Sequence, residues 1–150
     1  MMKEKRKTAE KIRSFNRFFL PRFHLLTQKY LNSDYSVAEA RIIYEIYADP
    51  GINARDIVGR LQVDKGYLSR LLKKLETRGI ILRTNASEDS RLVSISLTNE
   101  GNALAEELIN LSNQQVEEDL EGLSPEELRK LSGHFDSIIR ILGGYDSGNR

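Results

Sequence analysis

The sequence predicts a mainly α-helical chain with one small β-hairpin, in the order α-α-α-α-β-β-α-α. Three observations carry that prediction. Apolar residues recur at spacings of three and four along most of the chain, which is the period of an amphipathic helix. Helix-start residues (Ser36, Asn53, Asp64, Thr98 and Ser124) stand directly before such stretches. One segment, Leu92-Val93-Ser94-Ile95-Ser96-Leu97, instead alternates strictly, and it has a β-prone partner in Ile80-Ile81-Leu82-Arg83-Thr84.

Residues 4–31 read as the first helix, with Ile12, Phe15, Phe18, Phe19, Phe23 and Leu26 on its apolar side and Pro21 kinking or breaking it. Ser36 with Glu39 forms a capping box that starts a second helix, running to about Ala48 and burying Val37, Ala40, Ile43 and Ile46 or Tyr47. Pro50-Gly51 ends it. A short helix follows from Ala54 to Leu61 with Ile57, Val58 and Leu61 inward, then a longer one from Lys65 to Arg78 on a stripe of Leu68, Leu71, Leu72 and Leu75. Gly79 stops the longer helix. Beyond the hairpin, one helix runs from Thr98 to about Leu120 and a last one from Ser124-Pro125-Glu126-Glu127 to about Leu142. The Gly-rich residues 143–150 read as a flexible tail.

Composition narrows the function classes. The chain has 150 residues, no cysteine and a net charge of +1, so disulfides, thiolate metal sites and thiol redox sensing are excluded. His24 and His134 are far apart, which gives a zinc site no support, and no metal or cofactor is expected. No apolar run reaches the length of a membrane span, and the basic start does not read as a secretory signal, so a cytoplasmic location is expected. The small net charge conceals a segregation. Residues 1–31 carry nine Lys/Arg against two Glu, residues 55–91 nine against five Asp/Glu, and residues 99–131 two against nine. The cationic blocks suit a polyanion.

A short helix, a tight turn at Gln62-Val63-Asp64 and a longer helix make a helix-turn-helix, and a hairpin directly after it makes the wing of a winged helix. The longer helix turns Lys65, Gly66, Tyr67, Ser69, Arg70, Lys73 and Lys74 away from its leucines. A helix of that width fits the major groove of DNA, where Arg and Lys donate to guanine. Arg83 and Arg91 flank the hairpin loop, and Asp89 is placed to orient Arg91. Asn53, Arg55 and Ser87 complete the expected DNA-facing set.

The stretch from Leu61 to Ile81, followed by Arg83, Asp89-Ser90-Arg91 and Leu97-Thr98-Asn99-Glu100-Gly101, resembles MarR-type transcriptional regulators over roughly residues 10–142. Phe15-Asn16-Arg17-Phe18-Phe19 with Ala38-Glu39-Ala40-Arg41 is similar to members fused to an acetyltransferase domain, a domain these 150 residues do not contain. The resemblance implies one MarR-like domain, with residues 1–35 and 99–142 as dimerisation helices and 36–98 as a winged-helix DNA-binding lobe. It implies a homodimer on double-stranded DNA, a repressor at a pseudo-palindromic operator. It also implies release by a small aromatic anion, for which Arg13, Arg17, Arg22, His24, Tyr44 and Tyr47 are the candidate crevice.

An alternative is a winged helix that docks a protein partner instead of DNA. An enzyme is not expected, because no Gly-rich phosphate loop, nucleophile elbow or metal-ligand cluster is present. Glu106-Glu107 and Glu126-Glu127 are neighbours on helices that point apart, and read as surface charge.

Overall fold

The computed structural model describes residues 1–85 and 92–146, with side chains through residue 144; the expected wing residues Ser87, Asp89 and Arg91 lie outside that range. The elements are α1 (Met2–Arg22), a 3-10 turn (Tyr30–Asn32), α2 (Val37–Ala48), α3 (Ala54–Leu61), α4 (Lys65–Thr77), β1 (Ile81–Asn85), β2 (Val93–Leu97), α5 (Asn99–Asp119) and α6 (Pro125–Asp146). The chain divides into two compact units, Met1–Asn113 and Gln114–Arg150.

The expected helix ends are largely met by side-chain caps. Ser36 accepts the Glu39 N–H while the Glu39 carboxylate accepts the Ser36 N–H, which completes the capping box. Asn53 accepts from the Asp56 N–H, Asp64 from the Tyr67 N–H and Thr98 from the Gly101 N–H, each at the third helical residue. At the end of α4 the Ile80 N–H reaches the Leu75 carbonyl and the Gly79 N–H the Glu76 carbonyl, with Gly79 at φ 74°. This double closure requires a left-handed residue, and glycine adopts it without strain.

The first helix is shorter than the apolar periodicity suggests. Residues 23–29 form turns rather than helix, so Pro21 marks a break and not a kink. His24, Leu31 and Asn32 all take positive φ, which ends any helical register between Arg22 and α2. The last helix is longer than expected, because residues 143–146, read as tail, continue α6.

Within residues 1–113 the core is built from Tyr35, the isoleucines and Ala40 of α2, Ile52, Ile57 of α3, the α4 stripe Leu68, Leu72 and Leu75, Ile80, Ile81, Ile95, and Ala105 and Leu108 of α5. Ile42 is buried where Val37 was expected to be, and α2 also buries Glu39 and Glu45. Strands β1 and β2 pair antiparallel with Ile81 opposite Leu97 and Arg83 opposite Ile95, and Ile52 bridges to Ile95, tying the hairpin root to the α2–α3 connection.

Two helices keep apolar residues exposed. In α1 no residue is buried, and Ile12, Phe15 and Phe18 are open to solvent. Phe15, Phe19 and Phe23 form a ring ladder with centroids 5.0 and 4.4 Å apart. In the second unit, Ser124 and Glu127 cap α6 reciprocally, and Leu128, Ile138, Ile139, Ile141 and Leu142 along it are exposed.

Candidate nucleic-acid interface

The helix-turn-helix is α3, the three residues Gln62-Val63-Asp64, and α4. Gln62 makes the turn by adopting the left-handed conformation at φ 51°, and its N–H closes on the Val58 carbonyl at 2.8 Å. Asp64 then caps α4. With Leu68, Leu72 and Leu75 packed inward, helical geometry leaves Lys65, Gly66, Tyr67, Ser69, Arg70 and Lys73 exposed, as expected from the sequence. Arg70 leans back over the first turn of α4. Its guanidinium carbon lies 5.9 Å from the Tyr67 ring centroid, and its Nη1 lies 3.8 Å from where a Cβ on Gly66 would be. Side chains on a helix lean toward its N-terminus, so this cation gathers at the end of α4 that carries unsatisfied N–H groups. Gly66 has a local reason as well, since a Cβ there would come within 3.1 Å of the capping carboxylate of Asp64.

Three of the other expected site residues, Asn53, Arg83 and Lys74, are engaged within the protein. Asn53 spends its side chain on Asp56, accepting from the N–H and donating to the carboxylate, both at 2.9 Å. Arg55 stands exposed on α3. Arg83 pairs with Glu76 of α4 at 3.4 Å, so it braces the hairpin root against the reading helix. Lys74 turns to Glu39 of α2, with Nζ 2.7 Å from Oε1.

In the sequence Glu39 reads only as part of a cap; in the fold it is also a buried anion. Burial pushes its carboxyl up, but the Lys74 ammonium and the N–H and hydroxyl of Ser36 outweigh burial and hold it below the usual carboxylate range. A carboxyl depressed in the folded state stabilises the fold above its unfolded pKa, and that stability is lost as pH falls through the folded pKa. Thermal melts should therefore show the wild type losing its advantage over Glu39→Gln between about pH 5 and about pH 3; a constant difference across that window would refute the pairing. Glu45 makes a second buried junction, meeting Arg41 at 3.1 Å and Arg60 of α3 at 3.4 Å, while Arg60 also reaches Asp49 at 2.5 Å. The partners of Glu39 and Glu45 on α3 and α4 are distant in sequence, and the only local signal is Arg41 four residues before Glu45.

The expected ligand crevice is not assembled as predicted. A cavity of about 340 Å³ opens between the segment after α1, α2 and α5, lined by apolar residues together with Tyr30, Arg41, Tyr44, Ser112 and Asn113. Of the six candidates only Tyr44 lines it; Arg13, Arg17, Arg22, His24 and Tyr47 do not. Arg22 instead lies over the Phe18 ring at 5.9 Å. The cation at the cavity is Arg41, already matched by Glu45 and lying 5.4 Å from the Tyr44 ring centroid. Among the described residues no group of carboxylates and histidines is arranged to hold a metal.

Helix-turn-helix, two-stranded wing and flanking long helices define a winged helix-turn-helix protein. Residues 36–93 match the MarR family. The HTH-type transcriptional regulator SarZ of Staphylococcus saprophyticus is 35% identical over 77 residues, 51% of this chain and 53% of SarZ. SarZ of Staphylococcus aureus is 33% identical over 91 residues, 58% of this chain and 62% of SarZ. The chain thus spans little more than half the length of these relatives. In structure it resembles the reduced form of MarR from E. coli, with TM-score 0.71 and 26% identity over 87% of this chain and 95% of that one. It also resembles Streptococcus pneumoniae FabT in complex with DNA, with TM-score 0.71 and 23% identity over 95% and 99% of the two chains. Residues 36–93 thus carry the MarR-family match, and the chain resembles MarR-type regulators in fold.

Proposed function

We propose that this chain is a sequence-specific DNA-binding transcriptional regulator that acts as a homodimer, places α4 in the major groove and lays the wing along the backbone or in the minor groove. The observation that carries the reading is the outer face of α4, where Lys65, Tyr67, Ser69, Arg70 and Lys73 are all exposed on a helix whose opposite side is locked into the core. Lys65, Arg70 and Lys73, with Arg55 of α3, make a cationic surface around the exposed Tyr67, which suits a polyanion. The FabT complex, a neighbour in fold, supports the same partner.

Dimerisation is supported by the apolar residues left exposed on α1 and α6. Two copies related by a twofold axis would read a pseudo-palindromic site with half-sites about 34 Å apart, and occupancy of such a site represses transcription. An aromatic anion entering the cavity beside Tyr44 would have to compete with Glu45 for Arg41.

The test is selection of duplexes from a random pool by the purified protein, followed by titration at two salt concentrations. A dimer that neutralises about 6–10 phosphates should lose about 10³–10⁵ in affinity between about 50 and about 200 mM salt. Sedimentation of the same sample should give a particle of twice the 17.2 kDa chain mass. Selection of no duplex, or binding indifferent to salt, overturns the reading.

A further inference from the structure

Lys74 of α4 and Arg78, the residue that ends it, face the start of α2. Lys74 and Arg78 are four residues apart, and so are their partners Glu39 and Tyr35. Lys74 Nζ lies 2.7 Å from Glu39 Oε1, and the Arg78 guanidinium carbon lies 4.1 Å from the Tyr35 ring centroid. Both partners are buried, so core packing fixes the α2 side of each contact. Glu39 Oε2 is committed to the Ser36 N–H at 2.7 Å, and among the described residues Oε1 has no donor beside it apart from the Lys74 ammonium. Swinging Lys74 out to a phosphate would strand a buried carboxylate oxygen, a costly arrangement. Lys73, the preceding residue, carries no such obligation: it stands exposed on the outer face.

Resting on the DNA-reading function proposed above, we propose that Lys74, together with Arg78, is a positioning residue that clasps α4 to the start of α2 and sets the angle of the reading helix, and that it is not a phosphate contact. Two attachment points four residues apart resist both rolling and sliding of α4, which a single ion pair does not. The hydrophobic stripe alone tolerates small rotations, whereas base-edge hydrogen bonds do not.

The probe is a duplex selected from a random pool by the wild-type protein, titrated from about 50 to about 200 mM salt. Glu39→Gln and Lys74→Gln should each weaken binding about tenfold, and the double variant should be no weaker than Lys74→Gln alone. None of the three should change the slope of log affinity against log salt, whereas Lys73→Gln should flatten it by about 0.9 for each phosphate no longer neutralised. Lys74→Arg, which keeps a cation on the carboxylate, should restore most of the affinity. A flattened slope in Lys74→Gln, or additive losses in the double variant, overturns the proposal. A second measurement needs no DNA: the Glu39 carboxyl, followed by NMR, should titrate below the ordinary range in the wild type and move upward in Lys74→Gln. An unchanged titration overturns the clasp on its own. Failure of the wild type to select any duplex would instead refute DNA reading, and the titration would then decide the clasp.

Discussion

Replacing Gly101 with Ala should destabilise the fold by about 2–3 kcal/mol, against the direction that helix propensity dictates. Gly101 lies in the first turn of α5, where glycine costs about 1 kcal/mol relative to alanine. Propensity alone therefore predicts stabilisation. Packing reverses the sign. A Cβ at Gly101 would sit 2.1 Å from the Ile80 carbonyl oxygen and 3.2 Å from Leu97 Cβ. The first of these is backbone, and that carbonyl is already fixed by the Thr98 N–H at 3.0 Å. The Thr98 hydroxyl accepts from the Gly101 N–H at 3.0 Å and donates to the Gly79 carbonyl at 2.6 Å, so the end of α4, the end of β2 and the start of α5 meet at one point. Nothing there can yield without opening the closure of α4. Gly59→Ala is the matched control: in α3 an added Cβ meets nothing within 4 Å, and the substitution should stabilise by roughly 0.5–1 kcal/mol. Melting temperatures should move in opposite directions, by roughly 2–4 °C per kcal/mol for a chain of this size. Equal shifts in the two variants would mean that the close approach is not maintained in solution.

How much of this was legible in the sequence depended on how local each signal was. Ser36 with Glu39, Asn53, Asp64, Thr98 and Ser124 each cap the helix directly after them, so a window of four residues was enough to place those boundaries. Gly79 and the alternation of Val93 to Leu97 were equally local, and the exposed face of α4 followed from its leucine spacing. The end of α1 was harder. His24, Leu31 and Asn32 adopt positive φ without being glycine; His and Asn tolerate that conformation but do not demand it, and the apolar spacing of Phe23 and Leu26 continued a helix that had already stopped at Arg22. The ion pairs were out of reach for a different reason. Lys74 and Glu39, or Arg60 and Glu45, come together only once α3 and α4 have packed on α2. Sequence could count the cations of the helix-turn-helix but not say which were already spent. The cavity shows the same limit: Arg13, Arg17 and Arg22 stand near Pro21 in sequence, while the cation that lines the cavity, Arg41, belongs to the next helix.

Arg70→Ala should cost roughly 1–3 kcal/mol per half-site and relax selectivity at one operator position, the largest effect expected from any single cation on DNA binding. The expectation follows from where the side chain stands. Recognition helices touch base edges with their N-terminal residues, and Arg70 reaches back over the first turn of α4, with Nη1 close to Gly66. The Tyr67 ring beneath the guanidinium, 5.9 Å away, limits its freedom before DNA arrives and so reduces the ordering cost on binding. Arg83 provides a contrast within the same structure, because its charge is turned to Glu76 and its loss should act through the hairpin root. Arg91, in the wing sequence, should behave differently again: its removal should weaken every duplex alike and flatten the salt slope by about 0.9 for each phosphate it had neutralised. Repeating the duplex selection with each variant separates the two roles, since a base contact changes the selected sequence and a backbone contact changes only affinity and its salt dependence. If Arg91→Ala altered the selected sequence while Arg70→Ala left it intact, the wing and not α4 would be the reading element.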